Sequence, residues 1–127
     1  MAADLKFWNS IDTLLETSER IIDRPKGSSH PKYPDFIYPV DYGYLKGTSS
    51  MDGSGIDIWI GSEDTDKVTG IICTVDLLKR DSEMKILIAC TQTETDRILN
   101  VLNDGCMSAV LITKRSDFPI KRKNDDL

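Results

Sequence analysis

Three short runs of β-branched and aliphatic residues restrict the fold of this chain more than any other feature of its sequence. They cover residues 56–60, 70–78 and 84–90, and each has the composition and length of a β-strand. The last two runs are joined by KRDSE, a polar segment of the size that closes a hairpin. The middle of the chain is therefore predicted to form a β-sheet.

The segments on either side of these strands predict one helix before the sheet and one near its end. In residues 4–17, apolar side chains recur at helical spacing: Phe7, Ile11, Leu14 and Leu15. Thr93 is predicted to cap a second helix, with Glu94 and Asp96 in its first turn and Gly105 as its stop. Both helices are expected to cover the sheet.

Two further strands and a long loop complete the expected pattern. Residues 18–23 and 106–113 are predicted strands, while residues 24–39 contain four prolines and are predicted to be loop or edge. A chain of 127 residues is expected to form a single domain, residues 1–127. The fold class is α+β and mainly β: a small β-barrel or curled sheet flanked by an N-terminal and a C-terminal helix.

Charge and composition argue against several classes of partner. The formal net charge is −5, so no nucleic-acid or membrane partner is expected. No apolar run approaches the roughly 18 residues of a membrane span, and acidic residues stand where a secretory signal would be basic and then apolar. We therefore expect a cytoplasmic protein whose three cysteines are structural thiols.

Carboxylates near strand ends are the first candidates for a functional site. Asp52 and Asp57 flank a glycine-rich turn, and Asp76 and Glu83 border the predicted hairpin. Hard divalent cations such as Mg²⁺ bind oxygen ligands of this kind together with water and phosphate oxygens. An aspartate beside a glycine is also a common turn residue, so the spacing leaves both interpretations open.

Basic and aromatic side chains near these carboxylates could bind an anion. The candidates for phosphate contacts are Lys26, Lys32 and Lys85. Lys85 alternates with Glu83 along a strand, which also fits a solvated ion pair. Tyr38 and Tyr42 could donate hydroxyl hydrogen bonds to an oxyanion or pack as core rings. The lone histidine, His30, is expected to lie on the surface.

Several motifs in fixed order resemble those of the soluble family I inorganic pyrophosphatases. DRPKGSSHPKY at residues 23–33 is similar to the family's E-I-P-K-G-S…K-Y segment, and YPVDYGYLKGT at 38–48 to its Y-P-A-N-Y-G-F run. DGSGIDIWI at 52–60 is similar to D-G-D-P-x-D-V, and VDLLKRDSEMKILI to the strand–turn–strand that carries D-E…D-x-K. The resemblance covers residues 21–90.

This resemblance implies an OB-like five-stranded β-barrel that hydrolyses pyrophosphate to two phosphates by a metal-activated water. It implies several Mg²⁺ ions, with Mn²⁺ as a substitute, and a homo-oligomer. Carried over by position, the metal ligands are Asp23, Asp52, Asp57, Asp76 and Glu83. The catalytic residues are Asp57, Tyr42, Lys32 and Lys85, and the substrate contacts are Lys32, Lys85, Tyr42 and Tyr38.

The chain departs from the family pattern at positions close to the chemistry. Ser54 replaces the middle aspartate of D-G-D-P, Pro34 replaces a Glu, and Leu77 replaces the Glu of the D-E pair. Loss of a general base typically lowers a rate by about 10²–10⁴-fold. The expected activity is therefore reduced or altered, with Asp41 and Asp81 as candidates for a substitute base.

Two other functions remain open at this level. The same losses fit a catalytically weak relative that binds or hydrolyses another phosphorylated metabolite or nucleotide. A third hypothesis is an OB-type interaction module for single-stranded nucleic acid. The acidic charge and the expected lack of a basic, aromatic-lined groove count against that module.

Overall fold

A single sheet of six strands carries one helix on each face. The structure, a computed structural model, describes residues 2–50 and 53–114. In chain order the elements are α1 (Ala2–Thr17), β1 (Arg20–Arg24), β2 (Asp41–Leu45), β3 (Ile56–Ile60), β4 (Val68–Asp76), β5 (Asp81–Ile88), α2 (Gln92–Leu102) and β6 (Met107–Ile112). The predicted class, α+β and mainly β with flanking helices, is confirmed.

The strand order is β1-β2-β3-β5-β4-β6, and the described strands form an open sheet. The β3–β5 pair is parallel, whereas the other neighbouring pairs are antiparallel. The sheet has six strands where five were expected, because β2 was missed: its sequence, DYGYL, lacks the β-branched residues that mark a strand. The β4–β5 turn also differs from the expected loop, since β5 begins at Asp81 and includes Glu83.

Helix α1 covers one face of the sheet through Trp8, Ile11 and Leu15, which are buried at helical spacing. They pack against the buried strand residues Leu45, Ile58, Ile71, Ile86 and Ile88. Phe7, which was expected in this apolar stripe, is 44% exposed. Its ring packs edge-on against Trp8 at a centroid distance of 5.5 Å.

Helix α2 covers the opposite face, and its N-cap is Thr91, two residues before the expected Thr93. The Thr91 hydroxyl accepts the N–H of Glu94 at 3.1 Å, and Glu94 Oε1 accepts the N–H of Thr91 at 2.9 Å. This capping box satisfies two N–H groups that the helix itself cannot. It orients the helix so that Ile98 and Leu102 are buried in the core of this face.

Strand alternation divides the side chains between the two faces. In β3, Ile58 lies in the core under α1, whereas Trp59 lies in the core under α2 and Asp57 shares its face. The parallel register aligns Asp57 with Lys85 and Trp59 with Leu87. On the α2 face, the side chains of β3 and β5 are therefore charged at one end of the strands and apolar under the helix.

A β-bulge in β1 changes which face Arg24 occupies. Ile22 pairs with Gly43, but Arg24 pairs with Tyr42, so Asp23 is the extra residue. Without the bulge, Ile22 and Arg24 would share a face. The bulge places Arg24 on the face of Tyr42.

The backbones of β1 and β2 approach each other closely at Gly43. A Cβ on Gly43 would lie 1.7 Å from the carbonyl oxygen of Ile21, so only glycine fits there.

The three cysteines differ in exposure. Cys90 is buried, Cys73 is half-buried and Cys106 is exposed, and all are free thiols. Burial raises the pKa of the Cys90 thiol to about 12, with a smaller contribution from Glu94. Among the described elements, neither helix has the length and hydropathy needed to cross a membrane.

Candidate active site

One groove of about 1250 Å³ on the α2 face brings together most of the predicted site residues that the structure describes, whereas Lys26, a candidate phosphate contact, is exposed and lies outside it. Its lining includes Asp23, Lys32, Tyr38, Tyr42, Asp57, Asp76, Glu83 and Lys85. Ser54 and Asp81 also line it. Asp52, the remaining predicted metal ligand, lies outside the described residues. Asp41, a candidate base, accepts the backbone N–H of Lys26 at 2.9 Å and lies outside the groove.

Lys85 forms the centre of the charged end of this groove. Its Nζ donates to Asp57 Oδ2 at 2.8 Å, to Glu83 Oε1 at 3.0 Å and to the Tyr42 hydroxyl at 3.0 Å. Lys85 is 7% exposed, so the ion pair with Glu83 is buried and not a solvated pair. An ammonium has three N–H donors. All three have acceptors here, and we call these four residues the charged centre.

The charged centre fixes the protonation of its lysine and its tyrosine. Burial lowers the pKa of Lys85, but Tyr42 and Asp57 raise it by more, so its pKa lies above the ordinary value. Burial raises the pKa of Tyr42 against the opposing effect of Lys85. At neutral pH Lys85 is therefore an ammonium and Tyr42 a phenol, whose O–H can donate a hydrogen bond to a neighbouring oxyanion.

Asp76 lies at the end of β4, where it also shapes the turn. Its Oδ1 accepts the backbone N–H of Leu78 at 2.9 Å and that of Lys79 at 3.1 Å. The turn interpretation therefore holds for this oxygen. A ligand role for Asp76 depends on its other oxygen, Oδ2. Asp76 is paired across the strands with Asp81, so two carboxylates lie side by side at this edge.

Arg24 is a groove residue that the sequence analysis missed. Its guanidinium donates to the Tyr38 hydroxyl and lies 5.6 Å from the centroid of that ring. Tyr38 itself is 3% exposed, so it positions Arg24 and presents little surface of its own. The bulge at Asp23 is what turns Arg24 into the groove, and the sequence carries no clear signal for a bulge.

The loop before β2 contributes aromatic rings to the groove. Its ends are held by a bridge between Ser29 and Ile37. His30 is half-buried and packs against these rings. The groove is lined by His30, Tyr33, Phe36, Tyr38, Tyr42 and Trp59. The rings are dispersed in the sequence and only the fold gathers them, but carboxylates outnumber basic side chains in the same lining, so this groove is aromatic and not basic.

The donor set of the groove consists of hard oxygen ligands. Within residues 2–50 and 53–114, no three histidine, cysteine, aspartate or glutamate side chains are grouped so as to hold a metal ion. Asp57 and Glu83 nevertheless both contact one cation, the Lys85 ammonium. Mg²⁺ takes one or two protein carboxylates and completes its shell with water and phosphate oxygens, so a cation here would use the oxygens of Asp57 and Glu83 that do not accept from Lys85.

At the level of fold, the chain is similar to the inorganic pyrophosphatases, which confirms the expected OB-like architecture. An inorganic pyrophosphatase from Neisseria gonorrhoeae aligns with a TM-score of 0.57 and 16% identity, over 74% of this chain and 80% of that one. The enzyme from Helicobacter pylori aligns with a TM-score of 0.52 and 13% identity, over 80% and 86%. An inorganic phosphatase from Anaplasma phagocytophilum gives 0.51 and 14%, over 74% and 81%.

Comparison at the level of sequence gives no match. No protein-family model matches the chain, and no curated protein matches it either.

Proposed function

We propose that this chain hydrolyses inorganic pyrophosphate to two phosphates with the help of Mg²⁺. The observation that carries the proposal is the charged centre, where two carboxylates and a phenol lie within 3.0 Å of one buried ammonium nitrogen. The similarity of fold to inorganic pyrophosphatases supports it. A homo-oligomeric state, expected by analogy, and a cytoplasmic location, expected from the sequence, belong to the same proposal.

The groove offers pyrophosphate cationic and hydrogen-bonding partners. Lys32 and Arg24 line it together with the charged centre, and Arg24 pairs across the strands with Tyr42. Tyr42 offers a phenolic O–H, which stays protonated because burial raises its pKa. A direct contact between Lys85 and a phosphate oxygen requires Lys85 to exchange one of its three present hydrogen bonds. We therefore assign Lys85 first to holding Asp57 and Tyr42 in place.

Asp57 and Glu83 are the residues that would hold Mg²⁺, with Mn²⁺ as a substitute, and Asp23 and Asp76 line the same groove. When bound, the cation offsets the negative charge of the phosphates and lowers the pKa of a coordinated water. Asp57 then has two tasks in this chain, which are to bind the cation and to keep the Lys85 ammonium paired. The acidic protein accepts an anionic substrate because cations reverse the local sign of the charge.

Asp57→Asn tests this proposal directly. The substitution keeps the shape of the side chain but removes a charge that both the cation and Lys85 require. We expect phosphate release from pyrophosphate with Mg²⁺ to fall by about 10²-fold or more, the scale of losing a catalytic group. Asp64→Asn, at an exposed position outside the groove, is the matched control. Equal activity in the wild type and Asp57→Asn would refute the proposed function.

Ser54→Asp tests whether a missing carboxylate limits the rate. Ser54 is exposed and lines the groove, so a carboxylate there can reach solvent and the substrate without burial. We expect phosphate release to rise by about tenfold or more, because a general base contributes about 10²–10⁴. Ser54→Asn has the same size without the charge and should show no gain. If the aspartate variant also shows none, another group already acts as the base.

A further inference from the structure

The groove continues beyond the charged centre along aromatic rings, of which the proposed reaction uses only Tyr42. Its volume of about 1250 Å³ exceeds the roughly 300–1,000 Å³ of sites that accept drug-sized ligands. Pyrophosphate has no apolar part and would occupy only the charged end. The remaining space and its aromatic lining suit a larger ligand that joins a phosphate group to an apolar, planar one.

The aromatic wall, which we define as His30, Tyr33, Phe36, Tyr38 and Tyr42, is continuous. Measured between ring centroids, His30 lies 4.9 Å from Tyr33 and 5.9 Å from Phe36. Tyr38 lies 5.1 Å from Phe36 and 5.3 Å from Tyr42. Tyr42 belongs to the charged centre, and Tyr33 is 58% exposed. The wall therefore runs from the charged centre to an open ring at the rim.

Cations accompany the rings along the wall. Burial is the largest cause that lowers the pKa of His30, and three cations add to it: Arg24, Lys32 and Lys79. All three also line the groove. His30 is therefore a neutral ring at pH 7, and its Nδ1 accepts the N–H of Lys32 at 3.0 Å, which leaves the proton on Nε2. The wall can therefore stack on a planar group, and its cations offset the negative charge of a phosphorylated ligand.

Behind the aromatic wall lies a buried N–H donor, on Trp59, that has no hydrogen-bond acceptor among the described residues. Trp59 is 1% exposed, and its Nε1–H has no acceptor among the described residues. Its ring lies 4.5 Å from Tyr42 and 5.8 Å from Tyr38, and it lines the groove. A buried donor without an acceptor is unfavourable, so a polar ligand atom that reaches this depth would gain a hydrogen bond.

We infer that the aromatic wall binds the base of a nucleoside diphosphate or triphosphate whose phosphates lie at the charged centre. The inference rests on the proposed function, because both use the same phosphate site. Stacking of a base on an aromatic side chain strengthens binding by about tenfold or more per base. A single nucleotide fits better than a nucleic-acid strand. The net charge of −5 and the carboxylates of the groove would repel a chain of phosphates.

Calorimetry with the full chain, Mg²⁺, ADP and pyrophosphate tests the inference. Tyr33→Leu removes the exposed ring of the wall but keeps an apolar side chain. We expect it to weaken ADP binding about tenfold while pyrophosphate binding stays unchanged. Tyr33→Phe keeps the ring and should retain the affinity for ADP. Because Tyr33 is an exposed loop residue, neither variant should disturb the core.

The outcomes separate this inference from the proposed function. If ADP does not bind, or binds Tyr33→Leu as tightly as the wild type, while pyrophosphate is hydrolysed, the base site is refuted and the proposed function stands. If ADP binds through Tyr33 but pyrophosphate is not hydrolysed, the base site stands and the proposed function fails. Tighter binding of a single-stranded oligonucleotide than of ADP would also refute the nucleotide assignment.

Discussion

Lys85→Met should abolish measurable phosphate release and lower the free energy of unfolding by about 3 kcal/mol. The substitution leaves Asp57 and Glu83 facing each other without their shared cation. Removing one partner of a buried ion pair typically costs about 3–5 kcal/mol. We expect the lower end of that range because the two carboxylate side chains remain 23% and 19% exposed. Urea unfolding and a phosphate-release assay measure the two effects.

Two variants show whether the loss of stability in Lys85→Met comes from the lost charge or from changed packing. Lys67→Met changes an exposed lysine outside the groove and should leave stability within about 0.5 kcal/mol of the wild type. The triple variant Asp57→Asn, Glu83→Gln, Lys85→Met removes all three charges, so it should regain much of the stability but none of the activity. A Lys85→Met protein as stable as Lys67→Met would contradict this account.

The pH dependence of stability gives a second readout of the same lysine. The pKa of Lys85 is raised above 10.5 in the folded protein, so the folded state binds this proton more tightly than the unfolded state. The stabilisation is fully present below pH 10.5 and is lost as the pH rises, by about 1.4 kcal/mol per pH unit. Tyr42 and Cys90, whose pKa values are also raised, act in the same direction. Lys85→Met should flatten the alkaline slope without removing it.

Gly43→Ala should be the most destabilising single-methyl change in the sheet. The new Cβ would lie 1.7 Å from the carbonyl oxygen of Ile21 and 2.9 Å from the Cα of Ile22. Both are backbone atoms of β1, so no side chain can rotate away and the strand itself must move. Overpacking typically costs about 1–3 kcal/mol, and we expect a loss above that range. Urea unfolding measures it.

Gly47→Ala is the matched control for that prediction. Gly47 follows the same strand and has open space around it, but its φ is +84°. An alanine there suffers only the backbone strain, about 1–2 kcal/mol. Because β1 carries Arg24, Gly43→Ala should also weaken substrate binding in whatever fraction stays folded. Equal losses of stability in the two variants would show that β1 and β2 are farther apart than described.

Much of the fold could be predicted because its core strands are locally recognisable. β3, β4 and β5 consist of β-branched and aliphatic residues, and α1 carries a helical apolar stripe. β2 was not predicted because it has a glycine, Gly43, at a buried position. Glycine has a low β propensity, and it is required here because the backbone of β1 lies so close. The helix cap was predicted at Thr93, two residues after its true position at Thr91. Glu94 stands three residues after Thr91, as a capping box requires.

The candidate site was only partly accessible from the sequence. Asp57 and Lys85 are 28 residues apart, and their proximity depends on a parallel pairing that skips over β4, which periodicity cannot show. Only the resemblance to the family motifs predicted that both residues belong to one site. Arg24 and the wall residues Tyr33 and Phe36 were missed because a bulge and a proline-rich loop position them. Such features depend on tertiary packing and leave no regular spacing in the chain.

The parallel pairing of β3 with β5 also has a consequence for folding kinetics. The β4–β5 hairpin closes over a short turn and can form early, whereas the β3–β5 pair must close a longer loop. Asp57 therefore meets Lys85 late, after the hairpin exists. The charged centre is absent from any intermediate that contains only local structure. During refolding, the return of the proposed phosphate release would mark the docking of β3 and not the first collapse of the chain.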